Sequence, residues 1–493
     1  MKQKGQQKSG RRGWMVPARE KLGYFVGAGS FFTVHSFVST FLASYLLMIG
    51  VSTTISATVL LFLKAWDAIN DVLFGYFLDK VRFKPQKRKL LGWLLNGKYL
   101  PWYRLASFIL PVSSIVMFTV NTQAPIELRV LQYVIGYILY DFAFTLASAP
   151  FGCMLTSMTS NADERTFLQS YSVLGQGIGS LPVGFIGTAL IAGGLGYSGA
   201  AIVFSIYGFI LSLPMLFLVT ERNTGEFSQV SEQQYSLKDM RNFLKESKEF
   251  LLFELGTLLW GLFYTSGYHL FLAYYIFGNV SISLIYMALG VIPTIALIPL
   301  FPIIFKRINK ITCIRIACVL YGISSLIIWS MGPDGAKASL GLHYALYAVC
   351  GCTYAFTMIG SSMLLPDIAE ITKFRTQKEH VGIIFSIHSF VTKLVSSLVT
   401  SVSLLILGAY GFVSVTAQSF EELAELNAKG IGLQTQTALR GLWNVTFLFP
   451  AFGFLAAAIL FSFCRINSKQ IPVIIRANLG EITYDEASRQ LTK

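Results

Sequence analysis

Charge is what this chain has least of. Asp, Glu, Lys and Arg make up 13% of its 493 residues, against 54% hydrophobic, and mean hydropathy is +0.59. A water-soluble chain of this size needs more charge to cover its surface, which excludes a soluble globular fold. Six cysteines occur without paired spacing and without CxxC, so neither a disulfide scaffold nor a zinc site is expected. No GxxxxGK[ST], GxGxxG unit or HExxH occurs, and ATP-driven transport or an enzyme would have to lack its usual marks. No cofactor is expected. The first twenty-odd residues are polar and basic with no short apolar core before a small-residue cleavage site, so no signal peptide is expected.

What is there is long apolar runs. Windows fall at 24–49, 53–79, 104–120, 130–157, 168–192 and 199–220, then at 250–277, 280–305, 312–331, 341–366, 381–411 and 439–464. Runs of this length span a bilayer as helices. The polar stretch 221–249 separates two groups of six. Its SLKDMRNFLKESKEFL segment reads either as an amphipathic helix on the inner face or as a plain connector. The expected organisation is a basic tail (1–22), a six-helix half (23–220), a linker (221–249), a second half (250–464) and a tail (465–493). No repeat at fixed period is visible, so the two-half expectation rests on layout.

Charge bias orients the array. The N-terminal tail carries Lys2, Lys4, Lys8, Arg11, Arg12, Arg19 and Lys21, and the loop after the second window carries Lys80, Arg82, Lys84, Lys87, Arg88 and Lys89. Lys306, Arg307 and Lys310 follow the eighth. The alternate loops are nearly free of Lys and Arg. The longest of them, 412–438, holds Glu421, Glu422 and Glu425 against Lys429. The positive-inside rule places both termini in the cytoplasm, which agrees with an even number of spans. The net charge of +14 reads as topology signal and contact with anionic lipid, not as nucleic-acid binding.

Several charges lie inside the windows. Asp67 and Asp71 are four residues apart on one helix face, which Lys64 joins three residues before Asp67. Two carboxylates in low dielectric cannot both stay ionised cheaply, so one takes a proton, a cation or a basic partner. Asn70 offers a carbonyl oxygen to the same cation. Asp67 lies twelve residues before Asp79 at the inner end of its span, roughly 18 Å. Lys393 lies about as far into the eleventh window, and Asp141 near the middle of the fourth. Such charges mark ion or substrate paths, and these are expected to converge near the midplane, where alternating access needs its site. The competing reading for Asp67, Asp71, Lys64 and Lys393 is a structural ion-pair network, and for Asp141 a helix-packing role. His388, five residues before Lys393, reads equally as a cavity group or a packing histidine. Glu254, one turn into the seventh window, reads as interfacial. Trp66, Tyr137, Tyr140, Tyr264 and Tyr268 could supply stacking surface for a sugar, although aromatics are common in membrane helices.

The segment KAWDAINDVLFGYFLD followed by a basic loop resembles the second-helix signature of the glycoside–pentoside–hexuronide:cation symporters, the melibiose-permease-like branch of the major facilitator superfamily. PDIAEITKFRTQKEHVGIIFSIHSFVTKLVSSL resembles that family's tenth-to-eleventh-helix segment, and YILYDFAFTLASAP with a following ADER resembles its fourth helix and cytoplasmic loop. The segments keep the family's order along the chain. The resemblance implies an all-α membrane fold of twelve helices in two six-helix halves, and sugar uptake coupled to Na⁺, Li⁺ or H⁺. It assigns Asp67 and Asp71 to the cation site, Asp141 and Tyr137 to sugar binding and coupling, and Lys393 to the surroundings of the cation. Asp163, Glu164, Arg165 and the Asp367 region match inner-face elements linked to gating. There are departures. Phe32 stands about where the family has a sugar-binding aspartate, Thr145 replaces a stacking tryptophan, and Val173 stands about where an arginine is usual. Val72 replaces a proline, and a Na⁺-assisting threonine is replaced near Ile138. The cation machinery is better kept than the galactoside pocket, which points away from melibiose.

The expectation is therefore a monomeric, multi-pass protein of a bacterial inner membrane. It would carry a monovalent cation together with a small polar solute: a glycoside, pentoside or sugar acid. Two readings stand beside it: transport of an amphiphile such as a lysolipid, and a scaffold or sensor that keeps the fold without net transport.

Overall fold

A computed structural model describes residues 16–80, 93–95, 97–159, 162–222, 243, 247–264, 267–297, 300–377, 381–467, 470–478 and 480–491, apart from some side chains inside helices, those of Asp71 and Asp163 among them. Most of the linker lies outside these residues, so its expected amphipathic helix does too. The regular elements among the described residues are helices, with one isolated antiparallel bridge between Ile49 and Thr416. The chain divides into two compact units. One holds residues 1–228 and 414–433, the other 229–413 and 434–493.

The first unit contains α1 (Ala18–Met48), α2 (Thr53–Lys80), α3 (Leu100–Phe118), α4 (Ile126–Met158), α5 (Ala162–Pro182, continued by wide turns to Leu195) and α6 (Gly196–Leu218). Helix α1 packs on α5 and α6, α3 packs on α4 and α6, and α2 packs on α4. The second unit contains α7 (Lys248–Phe263) and α8 (His269–Tyr275), which share the seventh window, and α9 (Ile282–Leu297) and α10 (Phe301–Arg307), which share the eighth. After them come α11 (Lys310–Ala338), α12 (Leu340–Thr376) and α13 (Val381–Ala409). The short α14 (Phe420–Ala428), assigned to the first unit, precedes α15 (Gln436–Trp443) and α16 (Phe449–Phe463) of the twelfth window. Two tail helices follow, α17 (Ile471–Asn478) and α18 (Tyr484–Leu491).

Within the second unit α7 packs on α13 and α16, α11 packs on α12 and α16, and α9 packs on α12. Numbered by window, each pairing equals one in the first unit with six added. One packing frame is thus built twice, although the sequence shows no repeat.

Lipid explains the surface. Phe62, Phe217, Ile459 and Phe463 are 62–67% exposed, which water would penalise and hydrocarbon does not. Among the described residues, eight helical stretches are long and apolar enough to cross a membrane. One of these, 167–218, is broken at Gly193–Gly196, where Gly194 and Gly196 take φ of 89° and 68°, so it covers the fifth and sixth windows. The second window carries Lys64, Asp67, Asp71 and Asp79, which keeps it short of a continuous apolar span, and residues 265–266 and 298–299 of the seventh and eighth windows lie outside the described residues.

Inside each unit small residues let backbones meet, as expected where lipid removes the hydrophobic drive between helices. Gly29 of α1 faces Gly175 and Gly179 of α5, and Thr33 Oγ1 donates to Gly179 O at 3.0 Å across the seam. A Cβ on Gly179 would collide with the backbone of Gly29, which cannot swing aside, whereas one on Gly177 would meet nothing within 4 Å. Gly179→Val is expected to destabilise by about 1–3 kcal/mol, the usual cost of overpacking. Gly177→Ala is expected to be neutral or slightly stabilising. Thermal unfolding of the two variants in detergent checks this.

Candidate functional site

Lys64 and Asp67 of α2 fall where that helix packs on α4. Residues 64, 67, 70 and 71 recur at helical spacing along one side of α2, and residues 137, 141 and 145 do the same along α4. The Lys64 ammonium donates to Asp67 Oδ2 at 2.9 Å and lies 5.5 Å from the centre of the Tyr137 ring. Tyr137 donates its hydroxyl to the same Oδ2 at 3.0 Å. Asp67 Oδ1 is buried with no hydrogen-bond donor among the described residues. A buried carboxylate oxygen left in this condition costs of order 1–3 kcal/mol or more.

One turn on, Asn70 donates its amide to Asp141 Oδ2 at 2.8 Å and to Thr145 Oγ1 at 3.2 Å. Asn70, Asp141 and Thr145 are 4%, 7% and 5% exposed, deep enough that each polar contact matters. Asp67 Oδ1 is a hard oxygen donor of the kind that Na⁺ or Li⁺ takes, and Asp67 alone suffices for a proton. The residues present therefore fit a monovalent cation. The backbone of Asp71 belongs to α2, and its side chain lies outside the described residues.

A second layer adjoins this pair. Tyr140 and His35 share a 2.7 Å hydrogen bond, and the His35 ring stacks on Phe144 at 4.3 Å. Phe32 packs edge-on against both His35 and Phe144. Thr145, His35 and Phe144 were not singled out as site residues from the sequence. Thr145 was noted there only as a lost tryptophan, and here its hydroxyl joins the Asn70–Asp141 contact. The signal that would have found it is its spacing, four residues past Asp141 on the same helix face.

In the second unit His388 of α13 meets Glu254 of α7, Nδ1 to Oε1, at 2.9 Å. Glu254 is 4% exposed with Oε2 buried and without a donor among the described residues. Its carboxylate is inside the helix packing, because α13 and α16 both cover α7. Phe253 stacks beside the His388 ring. Lys393 lies five residues further along α13 and is exposed.

At the basic ends of the helices, Glu164 is fully buried and receives Lys21 Nζ at 2.8 Å, Thr159 Oγ1 at 2.8 Å and the Val16 amide at 3.2 Å. Arg165 follows it, half-buried, and the Asp163 side chain lies outside the described residues. Asp367 receives Lys310 Nζ on both oxygens, at 2.9 and 2.8 Å. Glu20 and Arg222 form a two-pronged pair at 2.6 and 2.8 Å.

A helical frame built twice, with ionisable groups buried inside apolar helices, defines a multi-pass membrane transporter. The chain belongs to the MFS/sugar transport protein family, whose model matches residues 23–468. It is 23% identical to an Escherichia coli protein described as a glucuronide carrier protein homolog, over 85% of this chain and 88% of that one. It is 22% identical to the sodium-dependent lysophosphatidylcholine symporter 1 of Xenopus tropicalis, over 80% and 79% of the two chains. Its fold is that of a crystallised D-xylose–proton symporter, with a TM-score of 0.62 at 13% identity, over 91% of this chain and 98% of that one.

The Asn70–Asp141 contact can be isolated by a double-mutant cycle. Asn70→Leu leaves a buried carboxylate short of a donor and is expected to cost about 1–3 kcal/mol. Asn70→Leu combined with Asp141→Leu is expected to cost less than the two single changes added, because neither partner is then left wanting. Unfolding free energies in detergent measure the difference.

Proposed function

We propose that the protein is a symporter that couples a monovalent cation, Na⁺ or H⁺, to uptake of a sugar, glycoside or sugar acid by alternating access. The observation that carries this reading is the divided state of Asp67. One oxygen is held by Lys64 and Tyr137, and the other is buried without a donor among the described residues.

Such a carboxylate is poised to exchange partners. A cation arriving at Oδ1 competes with the Lys64 ammonium for the same negative charge. Lys64 is a flexible chain with a point charge, and its side chain is 23% exposed, so it can withdraw toward water. Cation binding would then free the Tyr137 hydroxyl from its carboxylate, and Tyr137 lies one turn from Asp141 on α4. Asp141 is tied through Asn70 back to α2, so cation and solute share a hydrogen-bond network. A coupling of this kind is reciprocal: the solute must raise cation affinity by the factor by which the cation raises solute affinity.

The polar lining of this network, with Asp141, Asn70, Thr145, Tyr140 and His35, suits the hydroxyl groups of a sugar. Phe32, where the galactoside pocket has an acid, does not suit melibiose. The lysophosphatidylcholine relative favours a second reading, an amphiphile whose polar head meets the same residues. Lys393 and His388 serve in the second unit as the groups that meet the solute or its cation. Asp71 completes the cation site. The buried ion pairs of Glu164 and Asp367 hold the inner ends of their units during gating. The unit of function is the monomer, in contact with anionic lipid at its basic face.

Uptake by proteoliposomes across a panel of glycosides, pentosides and uronic acids, with Na⁺, Li⁺ and pH varied in turn, tests the reading. Solute is expected to accumulate only down an ion gradient. Asp67→Asn is expected to reduce gradient-driven accumulation roughly 5–150-fold, the usual range of a coupling energy, while the protein stays folded in the membrane. Normal accumulation by Asp67→Asn rules out this site. A silent sugar panel with uptake of a lysolipid moves the assignment to the amphiphile.

A further inference from the structure

The second unit holds a buried acid that the coupling at Asp67 does not use. Glu254 lies about 9 Å along α7 from its start at Lys248. His388 lies about 10 Å along α13 from its start at Val381. The charge bias puts both starting ends on the inner side, so the two side chains share one depth. They meet directly, His388 Nδ1 standing 2.9 Å from Glu254 Oε1. Glu254 Oε2 is buried and has no donor among the described residues.

The surroundings of the pair are apolar. The Phe253 ring, fully buried, lies 6.0 Å from the His388 ring and 6.2 Å from the Phe461 ring of α16. A Cβ on Gly256 would run into Phe461. Thr257, one turn past the acid, is buried, and its hydroxyl is likewise without a partner among the described residues. Other ionisable groups on the helices packed against α7 are engaged elsewhere or lie further along. Helix α16 contains none, and Cys464 just beyond it donates to Glu249 O at 3.3 Å. On α12, Arg375 holds the Glu249 carboxylate at 2.7 Å, Asp367 receives Lys310, and Glu370 accepts from Asn478 Nδ2 at 2.7 Å. On α13, Lys393 is five residues beyond His388 and exposed.

Such a pair has one favourable charge state. With one proton between them, on Oε2 or as an imidazolium against the carboxylate, acid and imidazole are net neutral. Without it a negative charge is left among phenyl rings. With two protons the charge is positive, and either state is costly at membrane depth. The chemistry suits a proton and not a metal ion. Among the described residues no three His, Cys, Asp or Glu side chains gather where a metal could be held, and hard cations take oxygens before an imidazole nitrogen. The His388 side chain is 19% exposed against 4% for Glu254, so the acid is reached through the ring. A hydronium ion gives its proton to Nε2 and becomes water. Nδ1 then gives its own proton to Oε1, and the ring is left neutral as the other tautomer. Release runs the same steps backwards.

We propose that Glu254 and His388 bind one proton between them, and that this proton is a second coupling ion, released to the inner side by the second unit. This rests on the symport reading above and adds to it an ion separate from the one at Asp67.

The first test needs no solute. Purified protein is stepped from about pH 6 to about pH 9 with an indicator dye that counts released protons. Glu254→Gln is expected to release one proton fewer than the unaltered chain, whereas an ordinary glutamate, which titrates near about pH 4.3, has none to give in this range. His388→Gln is expected to release one fewer as well, and the double variant no fewer than either single change, because the proton is shared. Equal release by the unaltered chain and Glu254→Gln overturns the proposal. The second test uses proteoliposomes and the solute found by the panel. Glu254→Gln is expected to lower accumulation driven by a pH gradient about tenfold or more, while solute exchange at equal pH continues. Lost release with undiminished accumulation makes the proton structural and overturns the coupling. Normal accumulation by Asp67→Asn fails the Asp67 site and leaves this one standing. Where the panel yields no solute, the release measurement upholds or overturns the proton site by itself.

Discussion

A carboxylate oxygen buried without a donor is an unfinished interaction, and much of the first unit is arranged around the one on Asp67. The cost of burying a carboxylate in lipid falls only if charge and hydrogen bonds meet it. Lys64 and Tyr137 meet half of the demand, on Oδ2. If Oδ1 were equally well supplied, the group would be a static ion pair, with little reason to change partners. If Lys64 were absent, the empty site would hold an uncompensated charge and the helix would be hard to keep in the membrane. On the proposed coupling, partial satisfaction is what would keep the site stable without a cation and still attractive to one. The packing of α2 on α4 follows from this: it brings Tyr137 to Asp67 and Asn70 to Asp141, so that one helix interface serves both carboxylates.

The sequence made part of this legible. Asp67, Lys64 and Asn70 share a face because helical spacing puts them there, and charge inside an apolar run is conspicuous without any structure. Tyr137 and Asp141 could be placed on their own helix, and the family resemblance tied them to the solute. What one helix cannot show is which face of its neighbour it meets. The Asn70–Thr145 contact and the His35–Tyr140 bond join residues 75 and 105 positions apart, and no local pattern encodes such pairings. Glu254 is a further case: its distance from the helix end is readable, but its cover by α13 and α16 is not. The twelve windows were readable from hydropathy alone.

The two units show most clearly how frame and chemistry separate. By packing, α9 against α12 in the second unit is the counterpart of α2 against α4 in the first. The α9 sequence, ISLIYMALGVIPTIAL, contains no Asp, Glu, Lys or Arg, where α2 contains Lys64, Asp67, Asp71 and Asp79. The matching interface in the second unit instead buries Tyr286 against His343, hydroxyl to ring nitrogen, at 2.6 Å. One of that unit's buried acids, Glu254, lies instead on α7 and pairs with α13. Identical helix packing needs only small and apolar residues at the seams, a requirement that many sequences meet. Selection for a charged site in one copy and a neutral one in the other then erases the repeat from the sequence while leaving it in the fold.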